Sequence, residues 1–315
     1  MEITVEAPEI RFGFGQPVSS CHGEGASAVC DLSVPLLAGL GDEPLIRGGD
    51  ADRLERHGAF QILRNSEGGV IGGVAVAPCA GAAEMVAHRL YSELLGIAGE
   101  QALYRIWNFV PGINSEVEGI EQYQSFNVGR CRAFRERFGE SGMEDRLPAA
   151  SAVGIDEPVM SIAFLAGSDP VCYFENPRQV PAYRYPEQYG PCSPSFARGS
   201  VVTAADGRRT GYLSGTASIC GHETVGVGDL SRQFDTTVEN IRAMLERMDF
   251  TGALDGSGTA EATFRIYVRH PGDLDAVRER FFEWAGAETA SRTTFLRADI
   301  CRSPLLIEIE GIFSE

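Results

Sequence analysis

The sequence predicts an α+β protein made of two copies of one unit, each a mixed β-sheet with helices packed on one face. Three observations carry this. The order of strand-like and helix-like patterns in the first half recurs in the second, short segments echo between the halves, and a stiffened loop rich in aromatics and arginine lies between them. The units cover residues 1–170 and 199–315, joined by a loop over 171–198, and the junction is the natural place for a site.

Phe60–Val76 alternates apolar and polar residues around a glycine-bearing turn and predicts a hairpin. Ala82–Ile97 places Met85, Val86, Leu90 and Leu94 at helical spacing. Tyr104–Val110 reads as a strand, Pro111-Gly112 breaks it, Ile120–Phe138 is helical and Val159–Ala166 closes the unit as a strand. In the second half Val201–Ile219 is a hairpin about Asp206-Gly207, and Leu230–Met248 is an amphipathic helix. Phe264–Val268 is a strand, Pro271-Gly272 follows, Leu274–Trp284 is a helix, and Thr293–Ala298 and Leu305–Ile309 are strands. Tyr104-Arg105-Ile106-Trp107 echoes Phe264-Arg265-Ile266-Tyr267, each with Pro-Gly at the same distance beyond. Ile71–Ala75 likewise echoes Leu213–Ala217.

The chain has 315 residues and a formal net charge of -17, which argues against binding a nucleic-acid backbone. Every cation is arginine, so Schiff-base chemistry through lysine is excluded. The start, MEITVEAPEI, has early acids and no apolar core of a secretory signal, and no run approaches the roughly 20 apolar residues of a membrane span. Eight cysteines are scattered without a CxxC pair, as in a reduced cytoplasmic protein, and the five histidines lack ligand spacing, so no metal is expected.

The connecting loop, ENPRQVPAYRYPEQYGPCSPSFAR (Glu175–Arg198), contains five prolines, with Tyr183, Tyr185, Tyr189 and Phe196 as rigid amphipathic surface. Arg178, Arg184 and Arg198 supply planar forks suited to carboxylates. Such a loop reads as the wall of a small-anion site; the plainer reading is a linker with solvated arginines. On the helix before it, Tyr123 and Arg130 lie two turns apart and share a face, either as a second carboxylate clamp or as a surface pair.

In Leu305–Ile309 the alternation sets Leu306, Glu308 and Glu310 on one face. If that face meets the other unit, Glu308 is desolvated and held as a proton donor near neutral pH; periodicity alone favours a polar face in water. Cys301, seven residues earlier, reads by itself as a small buried apolar residue rather than a nucleophile. Gly215 marks either a bulge that lets a ligand approach the backbone or plain hairpin geometry. His222-Glu223 is a polar pair without an assigned role.

Leu213–Ser218, Gln233–Leu245 and the run from Arg292 to Glu310 resemble the YjgF/Rid family, which implies YjgF-like units and points to Arg292 and Glu308 as ligand-site residues. Longer motifs, RIWNFVPGIN, YQSFNVGRCRAF, ENPRQVPAYRYP, SPSFAR and SGTASICGHE, resemble the chorismatase family from about Arg105 to the C-terminus. That resemblance implies two fused YjgF-like domains that release pyruvate from chorismate without a cofactor. Glu308 matches the family's catalytic acid; Tyr123, Arg130, Arg184 and Arg198 match substrate-binding residues, with Tyr183 and Arg292 beside them. The family makes 3-hydroxybenzoate, a dihydroxycyclohexadiene carboxylate, or mixed 3- and 4-hydroxybenzoate. A pocket glycine and cysteine, matched here by Gly215 and Cys301, resemble the 3-hydroxybenzoate branch. Two readings from other classes are a Rid-like imine deaminase and a non-catalytic binder of aromatic acids. The duplication suits a monomer, although a free sheet face could still dimerise.

Overall fold

A computed structural model describes residues 7–24, 27–49, 51–67, 69–255 and 261–315. Most of the N-terminal segment read above for a signal (Met1–Glu6), and Gly68 in the predicted hairpin turn, lie outside the described residues.

Two large sheets dominate. One has six strands in the order Ala149–Ile155, Ala102–Pro111, Val159–Gly167, Val70–Pro78, Phe60–Asn65 and Leu54–His57, with only its first pair parallel. The other has seven, in the order Val171–Phe174, Gly199–Thr203, Arg209–Thr216, Ile307–Ser314, Glu261–Val268, Thr294–Arg297 and Leu36–Ala38. Its parallel pair, Glu261–Val268 with Thr294–Arg297, corresponds to the parallel pair of the first sheet. The repeat is therefore a repeat of topology: a hairpin, a helix, a strand, a helix, then a parallel strand and the strand that closes between.

Helices Ala83–Ala98 and Gln122–Phe138 cover the outer face of the first sheet, where Leu90, Leu94, Phe126 and Phe134 meet Ile106 and Ile162. Helices Leu230–Met248 and Leu274–Ser291 do the same for the second, through Phe234, Ile241, Leu245 and Phe281 on Ile266 and Ile309. The last helix continues beyond Trp284 and breaks at Gly286, whose φ of 79° leaves the helical region. The inner faces share a third core, with Trp107, Phe109 and Leu165 facing Tyr212, Tyr267 and Leu296. A four-stranded sheet (Ser20–Glu24, Ser27–Leu32, Glu9–Phe14, Asp42–Arg47) adds Ile10, Phe12 and Phe14 to it.

Besides the strands before Phe60, the sequence patterns miss three features. Ala149–Ile155 forms a fully buried strand, which its small residues conceal. Val171–Phe174 belongs to the second sheet rather than to a loop, and Leu36–Ala38 crosses over to pair with that sheet's far edge. The expected division at residue 170 is thus bridged by hydrogen bonding from both sides. Ala149–Ile155 is also the seam between the units. Ser214 Oγ accepts from the Ala150 N–H at 2.9 Å and donates to the Ala197 carbonyl at 2.6 Å, and the Gly154 N–H donates to the Asp299 carbonyl at 2.7 Å.

Candidate active site

A cavity of about 780 Å³, its mouth included, opens beside this seam. The first unit contributes Glu121, Tyr123 and Arg130 from its second helix region and Ala150, Ser151 and Ala152 from the seam strand. The connecting loop contributes Tyr185, Tyr189, Phe196 and Arg198; the second unit contributes Gly215, Ala217, Cys301, Arg302 and Glu308.

Local chemistry sets each wall. Helix Gln122–Phe138 crosses its neighbour closely because position 129 is glycine: a Cβ there would stand 2.1 Å from the Glu84 carbonyl oxygen. Gln122 and Ser125 on the same helix accept the N–H groups of Ala83 and Glu84, satisfying donors at the neighbouring helix's N-terminus. That fixed crossing presents Tyr123 and Arg130 to the cavity. Arg269 ties down the loop that carries Cys301 and Arg302, donating to the carbonyls of Leu305, Ile300 and Arg302, to Asp299 and, across the junction, to Asn114. Gln233 holds the next turn through the Pro304 carbonyl and the Leu306 N–H.

Three guanidinium groups reach the cavity with part of their donor capacity open. Arg130 is 1% exposed, lies 4.9 Å from the Phe126 ring centre, and donates Nη2 to Asn127 Oδ1 at 2.6 Å, while Nε has no partner. Arg198 is 5% exposed, lies 5.0 Å from the Phe196 ring centre and donates Nη2 to Tyr185 Oη at 2.7 Å, with Nε again open. Arg302 sits 4.1 Å over Tyr189 and donates Nη1 to the His222 carbonyl at 2.8 Å, leaving Nη2 without a partner. Tyr189 is itself held by its hydroxyl donating to the same His222 carbonyl at 2.7 Å, which gives His222 a structural role. Buried cationic donors that lack an acceptor are costly, and an anion entering the cavity relieves that cost.

Glu308 lies on strand Ile307–Ser314 and is 3% exposed. Burial, reinforced by the Glu310 charge and opposed by Arg105 and Arg198, pushes its carboxyl up to about 8. Oε1 has no hydrogen-bond partner, and Oε2 accepts from Cys301 Sγ at 4.0 Å. The same burial, then the Glu308 charge, pushes the Cys301 thiol up to about 12, so it stays an S–H group and not a thiolate. Beside the carboxyl the hairpin partner strand is irregular between Leu213 and Thr216. Gly215 in that bulge has no side chain to spare: a Cβ would stand 2.0 Å from Glu308 Oε1. Its primary effect is to give the acid its place, which refines the reading of Gly215 as room for the ligand alone.

Of the residues singled out from the sequence, Glu308, Cys301, Gly215, Tyr123, Arg130 and Arg198 come together here. Glu308 departs from the polar-face reading because the inner sheet faces meet and bury it. Three others stand outside the cavity lining. Arg184 ends a short 3-10 turn (Ala182–Arg184), its side chain 62% exposed and paired with Glu144 at 2.6 Å, so the following Tyr185 turns inward in its place. Tyr183 packs against the helix-covered core of the first unit, with Arg184 5.6 Å from its ring centre. Arg292 caps the kinked last helix and pairs with Glu288 one turn back at 3.4 Å, remote from the lining. Arg178 is likewise committed, to Glu239 and Asn240. Sequence reasoning missed Arg302 and Ser151. Arg302 adjoins Cys301 and carried a signal in that adjacency, whereas nothing distinguished Ser151 within its alanine-rich strand.

Residues 47–166 match the family model described as chorismatase FkbO/Hyg5-like, N-terminal. A 3-hydroxybenzoate synthase of Streptomyces hygroscopicus is 40% identical over 228 residues, which is 70% of this chain and 66% of that protein. A chorismatase of Streptomyces rapamycinicus is 36% identical over 230 residues, again 70% of this chain and 66% of the relative. The aligned region thus spans just under two thirds of these relatives' length. A chorismatase crystal structure superposes with a TM-score of 0.81 at 25% identity, covering 97% of this chain and 92% of that one. Among the described residues no helix is long and apolar enough to cross a membrane. With the two-unit fold, the buried acid and the arginine-walled cavity in place, the chain belongs to the chorismatase family.

Proposed function

We propose that the protein converts chorismate to 3-hydroxybenzoate and pyruvate, with Glu308 as the acid. The observation that carries this is the Glu308 carboxyl: buried, protonated near neutral pH, with one oxygen open to a cavity whose cationic donors lack acceptors. Chorismate is a dianion, and Arg130, Arg198 and Arg302 offer donors to its two carboxylates. Glu308 gives its proton to the methylene carbon of the enolpyruvyl group, producing an oxocarbenium. The neighbouring ring hydroxyl then bonds to the ring carbon bearing the ether oxygen. That carbon–oxygen bond breaks, its electrons complete the keto group of pyruvate, and the hydroxyl proton returns to Glu308. The strained ring product opens and loses its ring hydrogen as a proton to become aromatic, and no water is consumed. In this reading the Cys301 thiol, 4.0 Å from the acid, assists that last rearrangement.

The 3-hydroxybenzoate outcome also draws on the 40% identical relative that bears that name. Both walls of the cavity come from one chain, so the site needs no second copy, and we read the protein as a cytoplasmic monomer. Purified protein incubated with chorismate should release pyruvate and 3-hydroxybenzoate in equal amounts, read by chromatography with mass analysis. A non-aromatic diol as sole product would keep Glu308 and overturn the product; no pyruvate would return the chain to an imine deaminase or a binding protein.

A further inference from the structure

Behind Glu308 lies a charge cluster that the reaction itself does not use. Arg105 of the first unit and Arg265 of the second hold equivalent places in the repeat, and both converge on Glu310. Arg105 Nη2 donates to Glu310 Oε2 at 2.7 Å and to Ser151 Oγ at 3.0 Å. Arg265 Nη1 and Trp107 Nε1 donate to Glu310 Oε1 at 2.6 and 3.0 Å, and Arg265 Nη2 reaches Glu43. Glu310 is 4% exposed and lies two residues beyond Glu308 on the same strand face.

Arg105 matters to the acid because it is close and incompletely satisfied. Its Nη1 is buried without a partner, as is Glu308 Oε1. The charged and titratable groups that act on or respond to Glu308 are Glu310 on its own strand, Arg105, Arg198, Cys301, Tyr123 and Tyr267. Arg105 is the larger of the two cations that oppose its protonation. Among the described residues the carboxyls near Arg105 besides Glu310 are Glu308 and Glu43, and Glu43 is held by Arg265.

We propose that Glu310 is a positioning residue: by engaging Arg105 it keeps that guanidinium from bridging to Glu308, so the acid remains neutral and open to substrate. The device rests on the reading of Glu308 as the proton donor. It uses the repeat asymmetrically, because the first unit supplies the arginine and the second unit both carboxyls.

The test follows Glu308 titration directly, without substrate, through the infrared carbonyl band that disappears in Glu308→Gln, alongside the pH dependence of kcat. In Glu310→Gln the repelling charge is gone and Arg105 is free, so the Glu308 midpoint and the alkaline limb of kcat move to lower pH by ~1 pH unit or more, a tenfold loss of the acid form on the alkaline side. Glu310→Asp, which keeps the charge, returns the limb toward the wild-type position. Arg105→Met leaves Glu310 paired with Arg265 and moves the midpoint the other way, to higher pH. Movement in opposite directions is what a merely structural role would not produce. An unmoved midpoint in Arg105→Met overturns the proposal, even if Glu310→Gln is not recovered folded; so does a Glu310→Gln protein that loses activity equally at every pH. If chorismate is not turned over at all, the functional reading fails while the infrared titration still judges this one.

Discussion

In the second sheet Tyr267 pairs with Glu308 and Arg265 with Glu310; at the same register of the first sheet Trp107 pairs with Ala163 and Arg105 with Leu165. The hairpin partner strand differs too. It is irregular between Leu213 and Thr216 in the second unit, while Val70–Pro78 runs in unbroken register with Val159–Gly167 in the first. Both Ala163 and Leu165 are buried in the core shared by the inner faces. One topology therefore carries an acid with a bulge shaped around it in one copy, and apolar packing in the other. The lesson is that the fold supplies a place for a site, while two side chains and a bulge decide whether it is one. The first unit is not idle: its helix gives Tyr123 and Arg130, and its sheet gives Ser151 and Arg105.

The largest effect belongs to Glu308. The first copy has alanine at the matching register, so the repeat supplies no second glutamate at that place. Glu308→Gln should lower pyruvate release by roughly 10³-fold while calorimetry still detects chorismate binding. Transplanting the acid tests the other side. Ala163→Glu should add no activity and should destabilise the protein by about 3 kcal/mol, read from its urea midpoint, because the new carboxyl is buried in the apolar core shared by the inner faces.

Arginines in the cavity and at the surface should respond differently. Arg198→Met should raise KM by roughly 10- to 100-fold, the range of a buried charge-assisted hydrogen bond. For the wild-type protein the sign of the pH effect follows from a carboxyl raised from 4.5 to about 8. The donor form, and the stability tied to keeping it neutral, are complete below the ordinary value and are lost as pH rises through about 8, so kcat should fall about tenfold per pH unit above that. The smallest effects belong to Arg184→Ala and Arg292→Ala. Both side chains are paired outside the cavity, and turnover should change by less than about twofold.

Much of the fold was legible. Helix Leu230–Met248 has the predicted ends, set by Asp229 accepting from the Arg232 N–H at one end and by Asp249 with a φ of 62° at the other. The connecting loop was legible as a wall, because proline and aromatics declare stiffness and amphipathic surface locally. Which of its arginines points inward was not, since Arg184 and Arg198 look alike in sequence and differ only in what packs beside them. Ala149–Ile155 was invisible for a related reason: alanine and glycine carry little strand signal, and burial on both faces removes the alternation.

Most elements and their repetition follow from the sequence, because backbone preference and hydrophobic period are local properties, whereas the candidate acid came from motifs shared with the chorismatase family. The tertiary structure alone decided that Glu308 is neutral, that Gly215 must lack a side chain and that Arg105, separated from Glu310 by 205 positions, stands behind the acid. Desolvation and charge pairing depend on groups that meet only when the two units close on each other, and no local pattern records them.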